Sequence, residues 1–310
     1  MTPPLRAGIV GYGRMGLNHK NGYLSAGADI TLLCDIQVGR AVVGRGGGTT
    51  ATKHWSDVTR HSEVDIVSVC TYDDTHAEIA IDALNHGKHV VLEKPACQTR
   101  EQLAALHAAW QAAGDRLLTC NFPLRGEPLL QALKRDLPEG PHYLEAAYLH
   151  NITERLGPDG WRMQMDRYSP VQGGGIHMID WAMWMIGCQV MQVSGTSVGL
   201  DEMKPRTDFR PWTSVNALWF EDGSVANIVT SLDYQGMKRH RLSLPCTGKG
   251  FWCDRWLGQD KEYCVRDAVA AVAEGREAAV TAQQVFDTMA VTLACDEAIA
   301  TGQTVEVEYL

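Results

Sequence analysis

A glycine-rich loop between a predicted strand and a predicted helix constrains the fold of this chain more than any other feature. The loop is Gly11-Tyr12-Gly13-Arg14-Met15-Gly16, and it follows a strand predicted over residues 5–10. In such a G-x-G-x-x-G loop the first glycine permits a tight turn, the second lets the backbone approach a diphosphate, and the third lets helix and strand pack closely. The N–H groups at the start of the helix then attract an anion. We therefore predict that all six residues bind a dinucleotide.

Strands and helices alternate through the first 122 residues. The hydrophobic pattern predicts strands over 5–10, 30–34, 64–70, 89–92 and 117–120 with a further one near 50–54, and helices over 15–26, 75–86 and 100–113. This alternation is typical of a parallel, doubly wound sheet, in which ligands bind beyond the carboxyl ends of the strands. The predicted class is therefore α/β, with a Rossmann-type sheet in the N-terminal part of the chain.

Asp35 ends the second predicted strand, nineteen residues after Gly16. A carboxylate at that place can accept hydrogen bonds from the ribose hydroxyls of a dinucleotide, and it repels a 2′-phosphate. The sequence therefore favours NAD over NADP as the cofactor. Two alternatives stay open, because Asp35 could be a solvated turn residue and Arg40 could bind a 2′-phosphate.

Further candidates follow the later strands, at the same edge of the sheet. Thr71 and His76 follow the fourth predicted strand and are predicted to flank the cofactor, although His76 could instead only cover the start of the next helix. Thr75 is predicted to cap that helix. Glu93-Lys94-Pro95 follows the next strand and places a lysine where open α/β sheets hold their chemistry. A cofactor loop and a positioned lysine on one sheet indicate a nicotinamide enzyme.

The overall composition argues against several classes of protein. The net charge is -9, so the basic face that a nucleic-acid-binding protein carries is not expected. No apolar run approaches the roughly 20 residues of a membrane span, and the N-terminus does not resemble a signal peptide. The nine cysteines include no C-x-x-C pair, which argues against zinc and disulfides and fits a reducing cytoplasm. We expect a cytoplasmic protein that binds no metal, no nucleic acid and no membrane.

The run Glu93-Lys94-Pro95 resembles the glucose–fructose oxidoreductase, inositol dehydrogenase and rhizopine catabolism (Gfo/Idh/MocA) family. The stretches that share the family pattern are residues 64–71, 76–80, 83–95, 121, 173–181 and 247–250. The resemblance implies an NAD-binding Rossmann domain over residues 1–123. It also implies a substrate-binding α/β domain over residues 124–310, built on a large, mostly antiparallel open-faced sheet. One face of that sheet receives substrate and the other usually forms a dimer interface, so a homodimer or homotetramer is expected.

The second part of the chain carries a pattern that agrees with such a sheet. Strands are predicted over 143–150, 191–198, 215–220, 225–231, 240–244 and 305–309, and helices over 175–186, 261–274 and 281–301. The hinge between the two domains is predicted near residues 123–128.

The resemblance also implies the catalytic residues, Lys94 and His177. In this family the lysine contacts the substrate hydroxyl and the nicotinamide ribose, and the histidine is the usual proton acceptor. Oxidation of a secondary alcohol needs a base with a pKa near ~7, and the charge of a lysine favours the developing alkoxide. Glu93 and Asn121 are implied cofactor contacts. Asp180, three residues after His177, either orients the imidazole, binds substrate or is a buried structural acid.

One position departs from the family pattern. Many members carry an aspartate four residues before the histidine, and here that position is Gly173. Either the base works without that aspartate, or Asp166, Asp180 or Tyr168 substitutes for it.

The segment before the histidine helix mixes aromatic and charged side chains. Such a loop suits a polyhydroxylated ligand, because an aromatic ring stacks on a sugar face while arginine or aspartate binds hydroxyls. The predicted substrate contacts are Arg125, Trp161, Arg162, Asp166, Tyr168 and His177. An ordinary connecting loop is the alternative interpretation.

Together these residues predict an NAD-dependent dehydrogenase that oxidises a secondary hydroxyl of a sugar, glycoside, aminosugar or cyclitol, or reduces the matching keto compound. His177 is the predicted acid–base group, and Lys94 is its electrostatic and proton-relay partner. Two alternatives stay open: an NAD-dependent redox-assisted glycoside hydrolase, and a non-catalytic regulator that senses a dinucleotide on the same fold. The residues do not specify which polyol reacts, at which carbon or in which direction.

Overall fold

The computed structural model describes residues 3–44, 46–152, 162, 165, 168–198, 213–245 and 250–310. The chain divides into two compact units. Unit 1 comprises Met1–Gly126, Asp260–Phe286 and Leu310, and unit 2 comprises Glu127–Gln259 and Asp287–Tyr309. Residues 260–286, which the sequence analysis assigned to the second domain, thus belong to the first compact unit.

Unit 1 is built on a parallel sheet. Its strands are β1 (Arg6–Val10), β2 (Asp29–Cys34), β3 (Thr50–Thr52), β4 (Ile66–Val69), β5 (His89–Leu92) and β6 (Leu118–Cys120). They form a six-stranded sheet in the order β3-β2-β1-β4-β5-β6, and each neighbouring pair is parallel. The central strands are apolar along almost their whole length, as expected where helices cover both faces. The predicted doubly wound fold is confirmed.

Helices connect and cover the strands. In the described residues they are α1 (Arg14–Ser25), α2 (Val38–Gly44), α3 (Trp55–Thr59), α4 (His76–Asn85), α5 (Arg100–Ala112), α6 (Pro128–Asp136), α7 (Ile176–Ile186), α8 (Tyr263–Glu274) and α9 (Ala282–Thr301). Helices α2, α3 and α6 were not predicted, because helices of seven, five and nine residues show too few turns for a period to stand out.

The apolar face of α8 packs against unit 1. Val265 and Ala268 of α8 belong to the same buried cluster as Tyr23 of α1 and Ile9 of β1. Gly22 of α1 allows this close approach, since a Cβ there would lie 2.9 Å from the Cβ of Val265. The periodicity of α8 indicates an apolar face but not which sheet that face covers. For this reason the sequence alone could not assign α8 to unit 1.

Unit 2 is built on a second sheet. Its strands are β7 (Tyr143–Leu149), β8 (Val190–Val198), β9 (Thr213–Phe220), β10 (Val225–Ser231), β11 (Arg239–Leu244), β12 (Phe251–Arg255) and β13 (Val305–Glu306). Their order is β12-β11-β7-β10-β9-β8-β13. Among these pairs, β7 and β10 are parallel and the other five are antiparallel, which confirms the predicted mostly antiparallel sheet. Strand β12 was not predicted, and the strand predicted over 305–309 is longer than β13.

One face of the second sheet is exposed in the described chain. Along β9, Asn216 and Leu218 are buried, whereas Val215 and Trp219 are 42% and 38% exposed. The pairing of β12 through β11, β7 and β10 to β9 places Trp252, which is 68% exposed, on the same face as Trp219. We call the face that carries Val215, Trp219 and Trp252 the open face. This alternation is the pattern of an antiparallel sheet with one covered side.

No helix in the described part of the chain is long and apolar enough to cross a membrane. The same residues contain no group of three or more histidine, cysteine or acidic side chains that could hold a metal ion. The eight cysteines among the described residues are free.

Candidate cofactor and active site

The glycine loop joins the end of β1 to the start of α1. Gly11 has a φ of +87°, and a Cβ there would overlap the backbone carbonyl of Cys70, directly after β4. A Cβ on Gly16 would overlap the carbonyl oxygen of Gly11. By contrast, no described atom lies within 4 Å of the position that a Cβ of Gly13 would take. Packing therefore requires the first and third glycines, whereas the second faces open space before the helix.

The start of α1 can receive an anion. Gly13 is its N-cap residue, and in this fully described helix neither a side-chain cap nor an acidic residue of the first turn occupies the N–H groups. Arg14 is exposed and Met15 is half-exposed at the same end. The N–H groups and the helix dipole favour a phosphate group at this place.

Asp35 is bound to the glycine loop and is not a solvated turn residue. It is buried, and one carboxylate oxygen accepts a hydrogen bond from the backbone N–H of Tyr12 at 2.9 Å. The other oxygen accepts from the backbone N–H of Gln37 at 2.8 Å. Each oxygen keeps a further lone pair for another donor. The carboxylate therefore lies beside the loop, where a ribose hydroxyl can donate to it, and Arg40 is exposed on α2.

Glu93 and Asn121 meet in the interior of unit 1, where β5 and β6 end. The side-chain amide of Asn121 donates to Oε1 of Glu93 at 2.7 Å. Nε2 of His19, on α1, is 3.2 Å from the same oxygen, and its Nδ1 is 2.9 Å from Oγ of Ser68. Burial raises the pKa of Glu93, but the hydrogen bonds and charge of His19, with Asn121 and Lys94, outweigh burial and hold the pKa below its ordinary value.

The sequence analysis missed His19 and Ser68. His19 comes three residues after Gly16 on the sheet-facing side of α1, and Ser68 is the polar residue within the apolar strand β4. A polar residue inside a buried strand and a histidine on the buried side of a helix were the available signals. Sequence spacing does not show that the two touch.

Lys94 lies in the turn after β5 and is half-exposed. The imidazole of His76 braces this turn, with Nδ1 2.7 Å from the carbonyl oxygen of Pro95 and Nε2 3.3 Å from that of Thr71. His76 is 1% exposed, and both of its ring nitrogens contact backbone carbonyls. Within unit 1 it therefore supports the turn that carries Lys94. A contact between His76 and the cofactor stays a prediction.

Thr75 occupies the predicted N-cap position of α4, but its side chain makes no capping hydrogen bond. Its hydroxyl donates to the carbonyl of Tyr72 at 2.9 Å and lies 2.8 Å from Oγ1 of Thr71. A 3₁₀ turn over Asp73–Thr75 leads into the helix, so the backbone itself turns the hydroxyl away from the helix N–H groups.

In unit 2 a π-helical turn precedes the histidine helix. Val171–Gly175 forms the turn, and α7 follows it directly. Oγ of Ser169 accepts a hydrogen bond from a backbone N–H of the turn at 3.0 Å. Asp296 of α9 accepts hydrogen bonds from the hydroxyl of Ser169 and from Nε2 of Gln172, the latter at 2.7 Å. A buried carboxylate on α9 therefore holds the turn that leads to His177.

Gly173 and Gly174 make room for two tyrosines. A Cβ on Gly173 would overlap the hydroxyl of Tyr168, and a Cβ on Gly174 would lie 2.6 Å from Cδ1 of Tyr148. Nε of Arg162 donates to the phenol oxygen of Tyr168 at 3.0 Å, and the guanidinium lies 5.6 Å from the ring centroid. The hydroxyl of Tyr168 therefore occupies the place where a side chain at position 173 would begin.

His177 belongs to an aromatic cluster on the second sheet. Its ring stacks on Tyr148 with centroids 6.0 Å apart. Trp256 lies 5.6 Å from Tyr148, 5.4 Å from His150 and 4.3 Å from His240, again between ring centroids. The antiparallel register brings the ends of β7 and β12 beside the start of β11, which is why these rings meet. The sequence analysis missed His150, His240 and Trp256, although each lies at a strand end.

The remaining predicted residues are placed as follows. Arg125 is buried in the 3₁₀ turn Pro123–Gly126, where Nη1 donates to Gln284 at 3.2 Å. Asp180 is fully buried on α7. Trp161, Asp166 and the turn residues 247–249 lie outside the described residues.

Each unit therefore assembles its own group of candidates. Unit 1 holds the glycine loop, Asp35, Thr71, His76, Glu93, Lys94, Asn121 and Arg125. Unit 2 holds Arg162, Tyr168, His177 and Asp180.

Comparison with known proteins agrees with the geometry of the glycine loop. Residues 5–122 match the family model described as the Gfo/Idh/MocA oxidoreductase family with an NAD-binding Rossmann fold. The N-terminal part of the chain thus matches the NAD-binding domain of the Gfo/Idh/MocA family. The resemblance inferred from Glu93-Lys94-Pro95 and its neighbours is confirmed, and the chain is an NAD-binding oxidoreductase.

Proteins similar to this chain include inositol dehydrogenases. An inositol 2-dehydrogenase of Saccharopolyspora erythraea is 27% identical over 98% of this chain and 96% of its own length. The structure of myo-inositol 2-dehydrogenase from Lactobacillus plantarum superposes with a TM-score of 0.84 at 18% identity, covering 99% of this chain and 100% of that one. The scyllo-inositol dehydrogenase of Lactobacillus casei, solved with NAD(H) and scyllo-inositol, gives a TM-score of 0.82 at 16% identity, with coverage of 98% and 99%. At these identities the structural likeness shows a shared fold.

The residues of the glycine loop fit NAD, the cofactor of this oxidoreductase. Gly13 faces open space, the start of α1 can receive the phosphates, and Asp35 presents a carboxylate beside the loop. The individual contacts with NAD stay predictions, and they involve Gly11, Tyr12, Gly13, Arg14, Met15, Gly16, Asp35, Thr71, His76, Glu93, Lys94 and Asn121.

We predict that Asp35→Asn weakens NAD binding about tenfold and leaves NADP binding no weaker than before. The amide keeps the shape of the side chain but removes its charge and one acceptor; a charged hydrogen bond contributes about 1.5–3 kcal/mol, and 1.4 kcal/mol is a factor of ten. Titration of tryptophan fluorescence gives both dissociation constants. Asp29→Asn, at the exposed start of β2, is the matched control and should bind NAD like the wild type. Equal NAD affinity in the two variants would contradict the role of Asp35.

Proposed function

We propose that this chain is an NAD-dependent dehydrogenase of a cyclitol or sugar, which oxidises a secondary hydroxyl or reduces the matching ketone. The observation that carries the proposal is the combination of an NAD-binding Rossmann sheet with Lys94 at the carboxyl end of β5. The alignment with an inositol 2-dehydrogenase over 98% of the chain supports it. The histidines and aromatic rings around His177 suit a polyhydroxylated substrate.

His177 and Lys94 divide the chemistry between them. His177 accepts the proton of the substrate hydroxyl, because an imidazole is the side chain that most readily takes and returns a proton near neutral pH. The ammonium group of Lys94 stabilises the negative charge that grows on the same oxygen. Bound NAD supplies the hydride acceptor. In the reverse direction the same histidine returns the proton to the ketone oxygen.

Tyr168 takes the role of the aspartate that many family members carry at the position of Gly173. Its hydroxyl lies against Gly173, four residues before His177. Because Arg162 can only donate, its hydrogen bond uses a lone pair of the phenol oxygen and directs the phenol hydrogen to another side. We propose that this hydrogen is donated to the reacting oxygen of the substrate and so holds it next to His177.

The central prediction concerns Lys94→Ala and His177→Ala. We expect the wild type to form NADH with at least one member of a panel of cyclitols, sugars and aminosugars, as followed by absorbance. Loss of an acid–base group should lower kcat by a factor of about 10²–10⁴, and loss of the charge at Lys94 by about 10²–10³. NAD binding by His177→Ala should be unchanged. His86→Ala, an exposed histidine at the end of α4, is the matched control and should keep full activity.

The same experiment separates the two alternative functions. Cleavage of a glycoside without net NADH, with NAD retained through purification, would indicate the redox-assisted hydrolase. NAD binding without turnover of any panel member, and with cellular function intact in the double variant of Lys94 and His177, would indicate the sensor. Either result would contradict the dehydrogenase.

We predict that Tyr168→Phe lowers kcat by a factor of about 10–100, because one hydrogen bond to the reacting oxygen is lost while the aromatic packing remains. KM for NAD should not change. Tyr143→Phe, which removes a hydroxyl bonded to Glu145 on the open face, is the matched control. Equal kcat values for these two variants would exclude Tyr168 from the reaction.

We also propose that a second copy of this chain covers the open face. Val215 and Trp219 of β9 and Trp252 of β12 expose much of their apolar surface there, and exposed large apolar side chains on one face can be covered by a second copy. The family resemblance supports the same assignment, since its members usually dimerise through this sheet. The expected assembly is a homodimer or a homotetramer.

Val215→Glu should convert this assembly to a smaller one. In a twofold interface each residue occurs twice, so the substitution buries two carboxylates at once. Light scattering after size exclusion measures the mass, and circular dichroism reports whether the fold is kept. Val43→Glu, on the exposed side of α2, is the matched control and should leave the mass unchanged. A monomeric wild type would contradict the proposal.

We propose a reducing compartment, the cytoplasm, for this enzyme. Cys34 and Cys97 are free and buried, and burial raises the pKa of each thiol to about 12. Such thiols stay protonated and behave as small apolar groups.

A further inference from the structure

A series of buried polar side chains lies beneath the turn that carries Lys94, and the proposed reaction does not use it. The hydroxyls of Tyr23 and Ser68 are 2.9 Å apart, and Oγ of Ser68 is 2.9 Å from Nδ1 of His19. Nε2 of His19 is in turn 3.2 Å from Oε1 of Glu93. Tyr23, Ser68 and His19 are each 0% exposed, and Glu93 is 8% exposed. Polar groups this deeply buried destabilise a fold unless each has a partner.

The carboxylate at one end fixes the hydrogen bond next to it. An ionised Glu93 only accepts, so Nε2 of His19 carries a hydrogen that it donates to Oε1 of Glu93. Oγ of Ser68 lies between Nδ1 of His19 and the phenol of Tyr23 and is within hydrogen-bond distance of both. Burial raises the pKa of Tyr23, so the phenol keeps its hydrogen. Each polar group of the series therefore has a partner in the interior of unit 1.

Glu93 is held as an anion by groups from several elements. His19 faces it from α1, Asn121 from the end of β6, and the ammonium of Lys94 from the next position in the chain. The thiol of Cys70, after β4, also faces it; burial and the charge of Glu93 both raise the pKa of that thiol. Burial favours a neutral Glu93. The hydrogen bonds and charges of His19, Asn121 and Lys94 outweigh burial and hold the pKa of Glu93 below its ordinary value.

Such a network is a poor way to stabilise a core, because apolar residues of the same volume usually serve as well or better. The position of the network indicates a role in holding the site. His19 belongs to α1, whose first turn is the expected phosphate site, and Glu93 directly precedes Lys94. The network therefore joins the cofactor-binding helix to the turn of the proposed reactive lysine.

We propose that His19 is a positioning residue: it holds Glu93 as an anion in one place, and Glu93 in turn fixes the position and charge of Lys94. His19 is fully buried and therefore acts through Glu93. The inference rests on the proposed function, since the position of Lys94 matters for a substrate on which it acts.

The first test is a double-mutant cycle on kcat and on the Kd for NAD. His19→Leu removes both hydrogen bonds and fills the space of the imidazole with an apolar side chain. We expect it to lower kcat at least about tenfold, since a displacement of about 1 Å can cost 10²-fold in rate, and to change the Kd for NAD less than about threefold. His19→Gln, whose amide can still donate to Glu93, should keep most of the activity. Because His19 acts through Glu93, the variant with both His19→Leu and Glu93→Gln should be no slower than Glu93→Gln alone.

The second test measures the melting temperature of the protein without substrate. An anionic Glu93 with a lowered pKa adds stability above its unfolded pKa, and this stability is lost as pH falls through the folded pKa. Glu93→Gln should therefore lower the melting temperature at about pH 7 when His19 is present. In His19→Leu the carboxylate keeps Asn121 but loses the hydrogen bond and charge of His19, and its pKa rises, so there Glu93→Gln should raise the melting temperature at about pH 7 and change it little at about pH 5.

These results decide the proposal in either direction. Losses in kcat that multiply in the double variant, or an effect of Glu93→Gln with the same sign in both backgrounds, would overturn it, because His19 would then act independently of Glu93. If His19→Leu does not fold, Ser68→Ala removes only the hydroxyl that bonds to Nδ1 and should give smaller effects in the same direction. If the wild type oxidises no polyol, the proposed function fails, whereas the melting temperatures still decide whether His19 keeps Glu93 charged.

Discussion

The close approach of α1 to the strands beside it is the contact on which unit 1 depends. At Gly11 and Gly16 the backbones of the loop, the helix and the neighbouring strand touch with no room for a Cβ. This contact fixes the start of α1 at the carboxyl edge of the parallel sheet. Asp35, the turn of Lys94 and Asn121 all follow strands that end at the same edge, because parallel strands present their carboxyl ends together. The cofactor site is a consequence of the sheet's direction and of two positions that accept only glycine.

A second constraint is the same in both units: a buried carboxylate holds the turn next to a proposed reactive residue. Glu93 accepts hydrogen bonds from His19 and Asn121 beside Lys94. Asp296 accepts them from Ser169 and Gln172 at the turn before His177. A buried anion is costly unless donors surround it, and donors that must surround it are themselves held in place. Each carboxylate therefore holds its turn in place, and the proposed reaction depends on that position, since a displacement of about 1 Å can cost 10²-fold in rate.

Most strands and helices of both units could be predicted from the sequence, because they depend on the spacing of apolar residues along the chain. The glycine loop, Asp35 and the Glu93-Lys94-Pro95 turn were found for the same reason, since each is a local pattern that follows a strand. The place of α8 in unit 1 and the short strand β12 were not predicted. An apolar face does not indicate which sheet it covers, and five residues show little periodicity. His150, His240 and Trp256 were missed because they are isolated in sequence and meet only through the register of β7, β11 and β12.

The sequence by itself determined the doubly wound first sheet and the NAD cofactor, because both depend on hydrophobic periodicity and on short motifs whose residues are close along the chain. The mostly antiparallel second sheet was implied by the resemblance to the Gfo/Idh/MocA family, which short motifs carry. Only the tertiary structure decided that the hydroxyl of Tyr168 fills the space beside Gly173, and that His19 contacts a carboxylate 74 residues away. Contacts between distant residues depend on how helices and strands pack and on which buried polar groups must find partners, and neither is encoded in local spacing.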